Sequence, residues 1–224
     1  MKTTIGLLAI LAGAFAQTPP AAQHKAPMVN PALYKRQAPP KFKVKFTTAK
    51  GDFVVEVHRD WAPNGADRFY NLVRGGYFDG GPFYRVRAGF MAQFGFSPSP
   101  AVNKAWGSAT IKDDPVTQSN KRGYITFAQT GAPNSRSTHL FINYIDNSRL
   151  DSQGFAPFGQ VVEGMEVVDK LNPEYGDGDQ EKISEGGAAF VKRTYPRMDL
   201  ILKAEVMPAD KPPTPVQTPA PKKQ

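Results

Sequence analysis

The chain of 224 residues contains no cysteine. It can form no disulfide and carry no lipid-modified cysteine, so its stability must come from packing alone. Histidine is scarce as well: His24, His58 and His139 are the only three, and they show no ligand spacing, so no metal site is expected. Asp177, Asp179 and Glu181 hint at calcium, but their segment lacks the glycine and terminal glutamate of a calcium loop and reads as solvated. A membrane-spanning helix needs roughly 20 apolar residues. The apolar run at residues 5–15 of MKTTIGLLAILAGAFA is about half that. Charge of one sign is also missing from the body of the chain: the formal net charge is +8, yet residues 42–207 hold 20 basic and 19 acidic groups. The excess sits in the ends, so neither nucleic acid nor another polyanion is an expected partner of the body.

What is present divides the chain into four parts. One early lysine, the short apolar run and Ala14-Phe15-Ala16 read as a secretory signal over residues 1–16, cleaved after Ala16. The mature protein is therefore expected to be exported, periplasmic or secreted, and without stable membrane insertion. Residues 17–41 and 208–224 each hold six of the 21 prolines together with most of the excess lysine. With few large apolar groups to bury, both read as disordered Pro/Lys-rich tethers. Residues 42–207 remain as one domain, rich enough in apolar and aromatic residues for a single core.

Within that domain the periodicity is mainly that of strands. FKVKFTTA (42–49) alternates, turns at Lys50-Gly51-Asp52 and continues as FVVEVH (53–58), a hairpin with one buried face. Further strand-like runs fall at 83–87, 90–94, 123–128, 140–144, 158–162 and 198–206. Ala66, Phe69, Leu72 and Val73 recur at helical spacing before Gly75-Gly76, and a second helix is expected over 165–171, ahead of Pro173. A short helical segment is expected near 188–195. Many short strands with few helices favour a closed antiparallel barrel, which leaves no edge exposed.

Three separated stretches carry more than periodicity. FYRVRAGFMAQFG, ITFAQTGAPNSRSTHLFI and LDSQGFAPFGQVVEGMEVVDKL, in that order, resemble the three signature segments of the cyclophilins, the peptidyl-prolyl cis-trans isomerases. The resemblance runs over about residues 42–206. It implies a mainly β fold, a closed eight-stranded antiparallel barrel capped by two main helices. It implies no cofactor, no metal, and proline-containing polypeptides as partners.

Spacing alone cannot choose between Arg85 and Arg87, which share a strand face. The resemblance assigns the catalytic role to Arg85 and makes Gln93 the residue that positions arginine and substrate. It places Phe90, Met91, Ala128, Gln129, His139, Phe141, Leu150 and Phe155 at the substrate, with Phe141 at the floor of a proline pocket. Gln129 replaces a common asparagine, His139 a common glutamine and Phe155 a histidine. Arg149 stands where cyclosporin-sensitive members carry tryptophan, so cyclosporin binding is expected to be weak. The expected function is isomerisation of Xaa-Pro bonds in the folding of extracytoplasmic proteins; the alternative is a non-catalytic module of the same shape that binds proline-containing peptides.

Overall fold

Alternation does most of the work in the first hairpin. In β1 (Lys41–Thr48) every second residue is buried, and Phe46 lies opposite Phe53 of β2 (Gly51–His58) with the two rings stacked at 4.8 Å. Each such buried side chain contributes about 1.5–3 kcal/mol. The computed structural model describes residues 28–209. The chain continues through α1 (Pro63–Gly75), β3 (Arg85–Arg87), β4 (Met91–Phe94), α2 (Pro100–Gly107), β5 (Tyr124–Phe127) and β6 (Leu140–Asn143). It ends with β7 (Pro157–Glu163), α3 (Met165–Asp169), α4 (Gln180–Thr194) and β8 (Ile201–Val206). The eight strands form one sheet in the order β3-β4-β6-β5-β7-β2-β1-β8, every pairing antiparallel. All eight fall where the sequence pattern puts them.

The sheet curls without closing as a ladder. Its end strands β3 and β8 do not pair; the segment just before β3 meets the start of β8 through an isolated bridge, Pro82 to Leu200. Phe83 N donates to Asp199 O (2.9 Å) and Ile201 N to Gly81 O (2.8 Å) beside that bridge. The fully closed barrel of the sequence reading is corrected to this curled sheet. The physical reason is the length of β3: three residues offer few ladder bonds, and its outer edge is taken up by residues 176–178 instead.

The core lies inside the curl. α1 presents Ala66, Phe69, Leu72 and Val73 inward, the residues its spacing predicts, and Phe69 packs within 5.1 Å of Phe158 from β7. The other helices differ from expectation. α3 spans only five residues, whereas the longest helix among the described residues is α4 with 15, and α2 was not foreseen at all. The helical segment expected near 188–195 is the second half of α4, and its first half is hidden in the sequence by Gly186-Gly187. There Gly187 takes φ 53°, and a Cβ on it would lie 2.3 Å from Pro98 O, so the helix kinks where it crosses the chain ahead of α2. Among the described residues no helix is long and apolar enough to cross a membrane.

The tether expected over residues 17–41 is corrected for its second half. Residues 28–41 are docked along α1: Met28 is 4% exposed, Trp106 Nε1 donates to Met28 O (2.7 Å), and the Tyr34 ring meets Trp106 at 5.8 Å. Asn71 accepts from Arg36 N (3.1 Å) and donates to Arg36 O (2.7 Å), while Ala38 N donates to Asp67 Oδ1 (2.8 Å). Proline cannot donate, and side chains of α1 serve the backbone groups of Arg36 and Ala38 beside these prolines. Residues 1–27, including the signal and the first half of the tether, lie outside the described residues, as do residues 210–224 of the second tail. Met28→Ala should therefore lower stability by about 2–3 kcal/mol in urea unfolding. Leu33→Ala, at a side chain 76% exposed, should stay within about 0.5 kcal/mol.

Candidate active site

Pairing of three strands sets the site. Arg85 of β3 is directly opposite Gln93 of β4, and Gln93 is directly opposite Phe141 of β6. A cation, an amide and an aromatic ring thus form one row on one sheet face. Two residues along β4, Met91 points to the same face, and it packs with Phe141 and Leu150 as a buried cluster joined by Phe90, Ala128 and Phe155. The Phe141 and Phe155 rings meet edge to face at 5.7 Å. Six of the eight residues expected at the substrate are therefore brought together as one apolar surface.

The polar residues border it. Arg85 Nη1 donates to Gln93 Oε1 (3.2 Å), and the Arg85 guanidinium lies 5.9 Å from the centre of the Phe90 ring. The exposed Arg149 guanidinium lies 5.1 Å from the same ring, so Phe90 is flanked by two cations. Gln129 Nε2 donates to Gln153 O (2.6 Å), which ties the residue to the loop carrying Leu150 and Phe155.

His139 is placed differently. Its Nδ1 lies 2.9 Å from the Tyr84 hydroxyl and its ring packs edge to face on Phe96 at 4.5 Å. Burial holds the His139 pKa down, to about 4. The ring is then neutral at ordinary pH, and the Tyr84 hydroxyl can donate to Nδ1. His139 thus packs against Tyr84 and Phe96 rather than joining the apolar cluster.

Several residues that shape the site carried no signal in the sequence. Asn120, Asn143 and Asn147 are fully buried. Asn120 Nδ2 donates to Asp151 Oδ1 (2.8 Å) and Phe155 O (2.8 Å), and its Oδ1 accepts from Thr126 Oγ1 (2.9 Å). Asn147 Nδ2 donates to Phe90 O (3.0 Å) and Asn143 Oδ1 (2.8 Å). These bonds fix the 147–155 loop to β5 and β6 and so set where Leu150 and Phe155 sit. The buried Arg136 adds a further tie, donating to Gly154 O and Asp113. Asp177 is also not the solvated carboxylate expected of its segment: it accepts from both Arg85 and Arg87. Among the described residues no group of three or more His, Cys, Asp or Glu could hold a metal ion.

A family model described as cyclophilin type peptidyl-prolyl cis-trans isomerase/CLD matches residues 43–187. The chain belongs to the cyclophilin-type family. Among curated relatives, peptidyl-prolyl cis-trans isomerase B of Escherichia coli strain K12 is 35% identical over 136 residues, covering 57% of this chain and 82% of that protein. Peptidyl-prolyl cis-trans isomerase A of Dickeya dadantii is 35% identical over 133 residues, covering 58% and 70%. Of solved structures, a cyclophilin of Hirschia baltica superposes with a TM-score of 0.55 at 19% identity, covering 75% of each chain. A cyclophilin-type isomerase of Cryptosporidium parvum superposes with a TM-score of 0.57 at 18% identity, covering 76% of this chain and 99% of its own. The structural likenesses show the cyclophilin fold.

The depressed His139 pKa carries a sign. Unfolded histidine takes up a proton near pH 6.5, whereas the folded residue resists until about 4. Between those values the unfolded state binds more protons, so this contribution to stability is complete above about 6.5 and is lost as pH falls towards 4. His139→Gln should flatten that part of the stability profile relative to wild type, as urea unfolding at pH 4.5 and 7 would read.

Proposed function

We propose that this cyclophilin catalyses rotation about Xaa-Pro bonds of polypeptide chains and does so as an exported folding catalyst. The observation that carries the catalytic reading is the row Arg85–Gln93–Phe141 beside the apolar cluster of Phe90, Met91, Leu150 and Phe155. Rotation about a peptide bond faces a barrier of roughly 18–20 kcal/mol because the amide must lose its conjugation. As the bond twists, the prolyl nitrogen pyramidalises and regains a lone pair. A donor fixed beside it stabilises the twisted state above either planar ground state. Arg85 is that donor, and Gln93 fixes the guanidinium through its own amide oxygen. The apolar cluster holds the pyrrolidine ring while the preceding carbonyl turns. Ala128 and Gln129 present backbone to the peptide along the rim. No bond is made or broken, so the reaction as derived draws on no nucleophile or metal.

Export rests on the signal-like pattern of residues 1–16, and the nearly balanced charge of residues 42–207 favours neutral polypeptide over polyanion as partner. Isomerisation of an Xaa-Pro peptide tests the catalytic reading. Arg85→Ala and Arg85→Lys should fold normally and lose at least about 10²-fold in kcat/KM, because lysine cannot reproduce a planar multi-donor fork. Arg74→Ala, on the outer face of α1, should match wild type. Equal turnover in all three variants would overturn the assignment.

Arg149 governs a second outcome. Cyclosporin-sensitive members offer an indole at this position, with an apolar face and an N–H donor. The exposed guanidinium over Phe90 has N–H donors but offers neither the shape nor the apolar face of an indole. Cyclosporin should inhibit weakly, and Arg149→Trp should tighten inhibition by about tenfold, the equivalent of about 1.4 kcal/mol. Peptide turnover, which uses the adjoining pocket, should change little.

A further inference from the structure

Asp177 lies 92 positions from Arg85 in the chain, in the segment between α3 and α4. That segment runs beside the outer edge of β3. Asp177 bridges to Arg85 as a strand partner, Val86 N donates to Gly176 O (3.1 Å), and Gly178 N donates to Tyr84 O (2.7 Å). Gly176 takes φ 55°, a conformation a larger residue adopts only under strain, and so delivers the following aspartate at this register. The carboxylate is consequently placed by backbone pairing rather than by the wandering of a surface side chain.

Its contacts divide between two arginines. Asp177 Oδ1 accepts from Arg85 Nε (2.6 Å) and from Arg87 Nε (3.0 Å), and Oδ2 accepts from Arg87 Nη2. With Gln93 Oε1 on Nη1 at 3.2 Å, the Arg85 guanidinium is held at two of its three nitrogens. Among the described residues Nη2 has no such bond, which leaves its two N–H groups, with the second of Nη1, for a substrate. A planar fork held at two corners cannot swing about its last side-chain bonds, and the orientation of the remaining N–H groups is set before a peptide arrives.

A lone carboxylate in this place would defeat its purpose, because a one-to-one pair would cancel the charge the twisted amide needs. Arg87 removes that conflict. Two guanidiniums share one carboxylate, so the cluster keeps a net charge of about +1. The hydrogen bond from Arg87, ahead of that from Arg85, holds the Asp177 carboxyl below the usual carboxylate range, so it stays ionised. All three side chains are 31–51% exposed. Pairs this open contribute little to folding stability, and the arrangement therefore acts on geometry.

We propose that Asp177 is the positioning residue for Arg85 and that Arg87 is the counter-cation that preserves positive charge at the site. The proposal rests on the isomerase reading above, and two readouts separate them: peptide isomerisation, and the 15N-detected Nε–Hε resonance of Arg85 in the full chain. Asp177→Ala should lower kcat by about tenfold or more while KM stays within about threefold, since a small misplacement of a catalytic group costs up to about 10² in rate. Its melting temperature should match wild type. The Arg85 Nε–Hε resonance should move and exchange faster with water. Asp177→Asn keeps an oxygen acceptor for Nε and should recover most of the rate and the resonance. Arg87→Ala should leave the resonance protected yet slow turnover a few-fold, through lost charge. A kcat for Asp177→Ala within twofold of wild type, or an unmoved Arg85 resonance, would overturn the proposal. So would an Asn variant no better than Ala. Were the wild type itself inactive towards Xaa-Pro peptides, the functional reading would fall, while the resonance would still decide whether Asp177 holds Arg85.

Discussion

A guanidinium has to stay charged, fixed in direction and in contact with an apolar pocket, and these demands pull against each other. Full burial would strip water from the cation without replacing it. Full exposure would let a long side chain wander over its rotamers. The structure meets both demands at the edge of a sheet. Arg85 of the end strand β3 stays partly exposed, and its opposite neighbour Gln93 is buried and gives the cation a fixed acceptor. One strand further in, Phe141 is apolar and nearly enclosed. Polarity falls across three successive strands, and the reacting bond would sit where it changes.

Fixing the pocket requires a different device, because Leu150 and Phe155 come from a loop. Loops carry backbone groups that no ladder satisfies. Here buried asparagines take their place: Asn120 reaches Asp151 and the Phe155 carbonyl, while Asn147 reaches the Phe90 carbonyl and Asn143. Each amide in this network is held by more than one partner, which stiffens the loop, although Asn147 Oδ1 is buried without a hydrogen bond. The two walls of the apolar cluster, one on a strand turn and one on a loop, are joined through these side chains rather than through direct packing alone.

The sheet was legible because its signal is local. Alternation in KFKVKFTT and the i, i+3 spacing of Ala66, Phe69, Leu72 and Val73 are properties of neighbouring residues, and burial follows them. The cluster of Phe90, Met91, Phe141 and Leu150 was reached through motifs, and the strand register accounts for why distant motifs meet. What escaped the reading depends on partners far along the chain. Residues 28–41 look like a linker by composition, yet Asn71 and Asp67 of α1 supply their hydrogen bonds. α4 looks broken by two glycines, yet the close approach of Pro98 requires one of them. Asp177 looks like one of several loop carboxylates until β3 is known to need an edge partner.

That last point links architecture to chemistry. Because β3 has three residues, it cannot run along β8, and the sheet closes only through the bridge from Pro82 to Leu200. Its outer edge would otherwise present unpaired amides beside the site. The segment at 176–178 covers that edge, and its backbone bonds to Tyr84 and Val86 flank Arg85 on both sides. Once a chain segment lies there, the side chain at its centre faces Arg85 and Arg87, and a carboxylate at that place accepts from both. A carboxylate between Arg85 and Arg87 follows from covering a short edge strand that carries a working cation. The gap in the ladder and the charge balance of the site therefore have one structural origin.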